Sequence, residues 1–125
     1  MSNGKMKLQY TFRLYLNCDG QRLLGKGGAQ ILEAVEEYGS ITQAAEELEM
    51  SYKFVWAYLT RMRRRLRRPL VMTHRGGEHR KHKGGGGTTL TPIARTLLKE
   101  FKETERLVQN IVSRRRIVKV AGLKD

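Results

Sequence analysis

Residues 51–68 bring together side chains that suit base edges and side chains that suit phosphates. The first group can hydrogen-bond to bases or make apolar contact with a thymine methyl group: Ser51, Tyr52, Lys53, Trp56, Ala57 and Thr60. The second group is cationic and suits phosphate oxygens, which position a protein without carrying sequence information: Arg61, Arg63, Arg64, Arg67 and Arg68. The stretch therefore predicts direct contact with DNA, with Lys53 a candidate to pair with guanine.

A second basic segment follows, in which cationic side chains stand among glycines that allow the backbone to approach phosphates closely. Its members are Arg75, Arg80, Lys81 and Lys83, with His79 and His82 between them. Residues 61–83 contain ten lysines or arginines and one acid, so most of the net charge lies there. A metal sensor using His74, His79 and His82 is an alternative, but no carboxylate or thiolate stands at ligand spacing. We expect a basic patch, with no metal and no cofactor.

The candidate DNA contacts require a pair of helices joined by a tight turn. Ser40 is a predicted N-cap with Gln43 completing a capping box, and the helix of residues 41–48 follows. Ser51 caps the next helix, predicted over residues 52–68 and ended by Pro69. This second helix has an apolar stripe made of Val55, Leu59, Met62 and Leu66. At 100° per residue, the base-contacting side chains project from the opposite side, although Trp56 could equally be half-buried packing.

The remaining segments complete a recognisable order of elements. Alternating apolar residues predict a strand over residues 8–16, turned back at Asp19-Gly20 into a short strand. A helix over residues 29–38 ends at Gly39. Strands at residues 70–75 and 88–90 flank the glycine-rich loop, and a helix over residues 92–116 starts after the Thr91 cap.

This order predicts an α+β, mainly α fold, a winged helix-turn-helix. We divide the chain into a DNA-binding domain (1–91, with hairpin 7–24 and wing 70–91), a long dimerisation helix (92–116) and a basic tail (117–125). The last helix is longer than a small domain can cover, so its apolar side is expected to pack against a second copy of the chain. The pairing residues are Leu97, Phe101, Val108 and Ile111.

Composition excludes several other classes. The 125 residues carry a net charge of +13 with a pI near 10.4, which favours a polyanionic partner. There is no long apolar run, so no membrane partner is expected. Cys18 is the single cysteine, which suits a reducing, cytoplasmic and nucleoid-associated location. No catalytic constellation, P-loop or dinucleotide fingerprint is present, so we expect neither an enzyme nor a small-molecule ligand.

The segment SITQAAEELEMSYKFVWAYLTRM resembles the helix-turn-helix of the molybdate-responsive ModE family and, more distantly, that of LysR-type regulators. The triplet Ser51-Tyr52-Lys53 with Trp56 carries most of the likeness, and GGGGTTLTP before a long helix is similar to that family's wing and linker. The resemblance implies a homodimer that binds an inverted-repeat site. The basic segment of residues 78–83 departs from the family's shorter loop. The sequence ends after the linker helix, so we expect no oxyanion-sensing domain.

Three functions stay open at this point. The first is a sequence-specific regulator of transcription that binds double-stranded DNA as a homodimer. The second is an architectural, chromatin-like protein with little sequence preference, which the charge of +13 also suits. The third is an interaction subunit that uses the long helix to join a larger complex.

Overall fold

The chain folds into four helices and two small antiparallel sheets in the computed structural model, which describes residues 7–74 and 87–115. The elements follow in the order β1 (Leu16–Cys18), β2 (Gln21–Leu24), α1 (Lys26–Tyr38), α2 (Ile41–Glu47), α3 (Tyr52–Leu66), β3 (Val71–His74), β4 (Gly87–Leu90) and α4 (Pro92–Arg114). This mainly helical architecture with two hairpins confirms the predicted winged helix-turn-helix.

The N-terminal hairpin is shorter than the sequence pattern predicts. Asp19 and Gly20 make the turn with φ angles of 49° and 78°, as expected for this dipeptide. However, the strand predicted over residues 8–16 is wrong, because β1 covers only Leu16–Cys18 and β2 offers a partner no longer than four residues. Alternation still sorts the two sides of the segment: Phe12 and Leu14 are partly buried, whereas their neighbours in the chain are exposed.

Helix α1 begins three residues earlier than predicted, at Lys26, so Gly27 and Gly28 lie inside its first turn. Gly28 permits a close crossing, because a Cβ there would stand 3.0 Å from the Leu24 Cβ atom and from the Tyr58 ring. The helix ends as predicted at Gly39, which is left-handed with a φ of 66°.

Both predicted caps of the helix pair are confirmed. The Ser40 hydroxyl accepts from the Gln43 N–H at 3.1 Å, and the Ser51 hydroxyl accepts from the Phe54 N–H at 3.0 Å. Helix α3 ends at Leu66 rather than at residue 68. Arg67 adopts a left-handed conformation with a φ of 62°, and its N–H bonds to the Arg63 carbonyl at 2.7 Å, which closes the helix before Pro69.

Side-chain and backbone bonds attach the wing strands and α4 to the helical core. Thr91 caps α4, as predicted, and its hydroxyl also donates to the Pro69 carbonyl at 2.9 Å. The Glu36 carboxylate on α1 accepts from the Leu90 N–H at 3.2 Å and from Arg95 Nε at 2.6 Å. The core runs through every helix and includes residues of β2 and β4. None of the helices in the described ranges is long and apolar enough to span a membrane.

Candidate nucleic-acid interface

The orientation of α3 is fixed by its buried side. Val55, Leu59 and Met62 are 0–3% exposed, and Leu66 packs against the same core. At 100° per residue, the opposite side is centred on the residues that we call the outer face of α3: Lys53, Ala57, Thr60 and Arg64. All are exposed except Thr60, which is partly exposed. Three of the predicted base-contacting residues, Lys53, Ala57 and Thr60, therefore share one accessible surface with the predicted phosphate anchor Arg64.

Tyr52 and Trp56 border the outer face on one side. Their rings stack with centroids 6.5 Å apart and planes 7° from parallel. They are 51% and 48% exposed, so Trp56 packs against Tyr52 instead of entering the core. A flat aromatic surface with this exposure can contact a thymine methyl group or a sugar.

Phe54 and Tyr58 border the outer face on the other side, with ring centroids 6.3 Å apart. The Arg61 guanidinium lies 4.5 Å from the Tyr58 centroid, which holds this predicted phosphate anchor beside the helix. Phe54 is 52% exposed, and the sequence prediction had not included it. The sequence could have indicated this exposed ring, because position 54 lies about 100° from the buried stripe, where folding does not require an apolar residue.

Thr60 has a restricted hydrogen-bonding capacity. Its hydroxyl donates to the Trp56 carbonyl at 2.9 Å, one turn earlier in the same helix. The hydroxyl proton is therefore occupied, and the oxygen lone pairs are left to accept. Thr60 consequently suits a base amino group, such as adenine N6 or cytosine N4, better than it suits a carbonyl.

The arginines of residues 61–68 divide by structure. Arg63, Arg64, Arg67 and Arg68 are exposed. Arg65 is partly buried, and its guanidinium donates to the Arg22 carbonyl of the hairpin, while its own carbonyl accepts from the Cys18 thiol at 3.5 Å. Arg65 therefore joins α3 to the hairpin. The sequence predicted that Arg67 lies within the helix. In the structure, Arg67 is the left-handed residue that follows α3.

The described part of the wing is its base. Strands β3 and β4 pair from Val71 with Leu90 to His74 with Gly87, and the His74 Nε2 and Thr89 Oγ1 atoms are 2.9 Å apart. The predicted contacts Arg75, Arg80, Lys81 and Lys83 lie outside the described residues, as do His79 and His82. Within residues 7–74 and 87–115 there is no metal-binding group of three or more His, Cys, Asp or Glu side chains.

The residues predicted to pair α4 with a second chain have different exposures. Phe101 is only 4% exposed, since it belongs to this chain's own core, and it offers little surface to a partner. Leu97 and Val108 are partly buried, and Leu97 packs against the core. Ile111 is 65% exposed, and Leu107, which the prediction did not include, is 50% exposed. The accessible apolar surface therefore lies in the second half of α4.

Among the described residues, three side chains of α1 and α4 have shifted pKa values. Hydrogen bonding to Glu37, with some burial, raises the pKa of Tyr38 to about 12. The hydrogen bond between Arg106 and Glu103 lowers the pKa of the Glu103 carboxyl and raises the pKa of the guanidinium. Each shift moves the titration away from neutral pH, so the charges of these side chains stay constant there.

The family model described as bacterial regulatory helix-turn-helix protein, lysR family, matches residues 28–95, which include α2, α3 and all of α1 except its first two residues. The chain belongs to this family. It is also similar to the transcriptional regulator ModE of Haemophilus influenzae, at 34% identity over 106 residues. The molybdenum transport protein ModE of Azotobacter vinelandii is 31% identical over 106 residues. Each alignment covers 85% of this chain and 37% of the relative, so this lysR-family chain spans little more than a third of their length.

A solved structure supports the fold of this lysR-family chain. The crystal structure of the CbnR_DBD–DNA complex is similar with a TM-score of 0.51 and 20% identity, over 70% of this chain and 90% of that chain. Identity at this level bears on the fold and not on base preference.

Proposed function

We propose that this chain is the DNA-binding part of a transcriptional regulator and binds a specific site on double-stranded DNA. The observation that carries the proposal is the outer face of α3, a polar and basic surface that lies opposite the buried stripe. In helix-turn-helix proteins, the second helix of the pair enters the major groove and its N-terminal residues meet the base edges. Ser51, Tyr52 and Lys53 occupy that position here.

We assign base contact to residues 51–60 and phosphate contact to the arginines that follow. Lys53 can pair with guanine O6 and N7, Ala57 leaves room for a thymine methyl group, and Thr60 can accept from an amino group. Arg61, Arg64 and Arg67 anchor the protein on phosphates. The basic segment of the wing is proposed from its sequence as a further contact. With about 6–8 phosphates neutralised per protomer, the log–log dependence of affinity on salt should have a slope near −6.

We further propose a homodimer joined through the second half of α4. Leu107 and Ile111 expose apolar surface there, and Val108 lies beside them. Two copies related by a two-fold axis would place two α3 helices on an inverted repeat. The division into a DNA-binding domain (1–91), a dimerisation helix (92–116) and a basic tail (117–125) belongs to the same proposal. We assign the chain no catalytic step.

Selection of bound fragments from random DNA tests the proposal directly. It should return one motif with two-fold symmetry, and the purified protein should prefer that motif to random duplex by about 10³ or more. On this site, Lys53→Ala should lose about 1–3 kcal/mol of binding free energy, with a much smaller loss on random duplex. Arg64→Ala should weaken both duplexes alike, because a phosphate contact is independent of sequence.

The net charge of +13 also suits a second candidate, an architectural protein that coats DNA with little sequence preference. The same measurements separate the two. A preference for the selected site near tenfold, with Lys53→Ala and Arg64→Ala behaving identically on both duplexes, would favour the architectural protein. The names of three relatives refer to molybdenum, but the chain spans too little of their length for us to propose oxyanion sensing here.

A further inference from the structure

A groove of about 520 Å³ lies beside α3, outside the outer face. It is lined by the N-terminal segment before β1, by Arg22 of β2, by the start of α1 and by α3. Four cationic side chains and two tyrosines define its chemistry: Arg13, Arg22, Lys26, Arg61, Tyr15 and Tyr58. Glu105 of α4 is the acid among the lining residues.

The cations of this groove are not neutralised by ion pairs among the described residues. The salt bridges in the described ranges join α1 to α4 or lie within α4. Instead, the Arg22 guanidinium lies 3.6 Å from the Tyr15 ring centroid, and the Arg61 guanidinium lies 4.5 Å from that of Tyr58. A guanidinium that stacks on a ring still presents N–H donors at its edge, in the geometry that matches phosphate oxygens.

Contacts within the folded chain hold the lining residues of the groove in place. Arg65 donates to the Arg22 carbonyl, which ties the hairpin to α3. Gly25 packs so closely that a Cβ there would lie 2.8 Å from the Tyr15 ring. By contrast, a Cβ on the next glycine, Gly27, would meet nothing within 4 Å. The groove is therefore a preformed concave basic surface with open space above the first turn of α1.

Arg61 and Tyr58 connect this groove to the DNA contacts, because they also border the outer face of α3. A helix in the major groove has a phosphate backbone on each side. We propose that the groove binds the DNA phosphate backbone on the Arg61 side of α3, through Lys26 and Arg22 as well as Arg61. This inference rests on the proposed DNA binding, and it adds contacts from Arg22 and Lys26, which lie outside both the helix-turn-helix and the wing.

Gly27 offers a matched pair of variants. Gly27→Glu and Gly27→Gln add side chains of the same size into open space, and they differ in charge. The carboxylate should lower affinity about tenfold relative to the amide, on both the selected site and random duplex, because it repels the phosphates. Thr96→Glu adds the same charge at an exposed position in the first half of α4, away from the groove and from the proposed dimer interface, and should change affinity less than about twofold. Lys26→Ala should reduce the magnitude of the salt slope by about 0.9, the value for one phosphate.

Thermal unfolding of each variant verifies that it is folded before its affinity is compared. Equal affinities for Gly27→Glu and Gly27→Gln would overturn the proposal. So would an equal loss in Thr96→Glu, since the effect would then be that of net charge alone. Titration with inorganic phosphate, followed by the NMR signals of the tyrosine rings, covers the other source of phosphate. Binding of free phosphate there, with duplex affinity indifferent to Gly27→Glu, would also overturn the DNA contact.

A failure of this inference is distinguishable from a failure of the proposed function. The groove is tested on random duplex through the Gly27 pair and Lys26→Ala. Sequence-specific binding is tested through Lys53→Ala on the selected site. A protein with no sequence preference could still give the charge-dependent difference at Gly27, and a specific regulator could lack it.

Discussion

Ser51 has two roles in the proposed interface, and substitutions at this position can separate them. Its hydroxyl accepts from the Phe54 N–H at 3.0 Å and so caps α3. It is also an exposed residue of the helix end that we assign to base contact. An ordinary alanine substitution removes both functions at once. Aspartate keeps the cap, because a carboxylate is as good an N-cap acceptor as a hydroxyl, but it brings a negative charge to the DNA.

The expected magnitudes follow from the exposure of the cap. Ser51→Ala leaves the Phe54 N–H to water, so the loss should be about 1 kcal/mol of unfolding free energy, or roughly 3–6 °C in Tm. Binding must then reorder the first turn of α3, which should weaken DNA affinity about fivefold. Ser51→Asp should keep the stability of the original chain and lose more than about tenfold in affinity, through repulsion by phosphates. Ser51→Thr should change both quantities little.

Calorimetry and duplex binding at one fixed salt concentration measure the two quantities. Ser40→Ala is the matched control, since it removes an equivalent cap from α2, where the hydroxyl accepts from the Gln43 N–H at 3.1 Å. It should cost similar stability and less affinity than Ser51→Ala. If Ser51→Asp bound DNA as well as the original chain, this end of α3 would not face DNA. If it unfolded as early as Ser51→Ala, the capping argument would fail.

Three further predictions concern the supports of the interface. Glu36→Ala should lower the free energy of unfolding by about 2 kcal/mol in chemical denaturation, because the Leu90 N–H loses its acceptor. Glu36→Gln keeps an acceptor oxygen and should lower it by less than half as much. Equal losses in the two variants would contradict this explanation. Leu107→Glu combined with Ile111→Glu should convert the proposed dimer to monomer in sedimentation equilibrium without lowering Tm, and a persistent dimer would place the interface elsewhere. Arg67→Gly should raise the free energy of unfolding by up to about 1 kcal/mol, because glycine adopts the left-handed conformation of residue 67 without strain. It should also reduce the magnitude of the salt slope of DNA binding by about 0.9. A lower Tm would show that Arg67 is not strained.

The features that the sequence predicts well are those with local causes. The caps at Ser40, Ser51 and Thr91 depend on side chains that bond to N–H groups three residues on. The left-handed turn at Gly39 depends on one residue without a Cβ atom. The outer face of α3 follows in the same way, because helical periodicity and the buried stripe fix its direction without reference to the rest of the chain.

The failures concern partners that are distant in the chain. Alternation over residues 8–16 predicts a strand, but a strand needs a partner, and β2 pairs with three residues only. Phe101 has the spacing of a pairing residue, yet it is buried in this chain's own core. The first helix was predicted to begin at residue 29, after Gly28, but Gly28 lies inside α1, where Tyr58 approaches closely. Each of these features depends on contacts with residues that are distant in the sequence.

The arginines after residue 60 illustrate why charge alone is a poor guide to an interface. In sequence they form one basic run, and all of them except Arg65 are predicted to contact phosphates. In the structure, Arg65 is used by the fold, since it holds the hairpin against α3. Arg61 is held beside Tyr58 at the edge of the groove. Arg65→Ala should therefore disturb the groove indirectly, by releasing Arg22, whereas Arg64→Ala removes one phosphate contact and leaves the groove intact. The same loss of one positive charge thus has different consequences at two adjacent positions, and the direction of the side chain, not its charge, decides which.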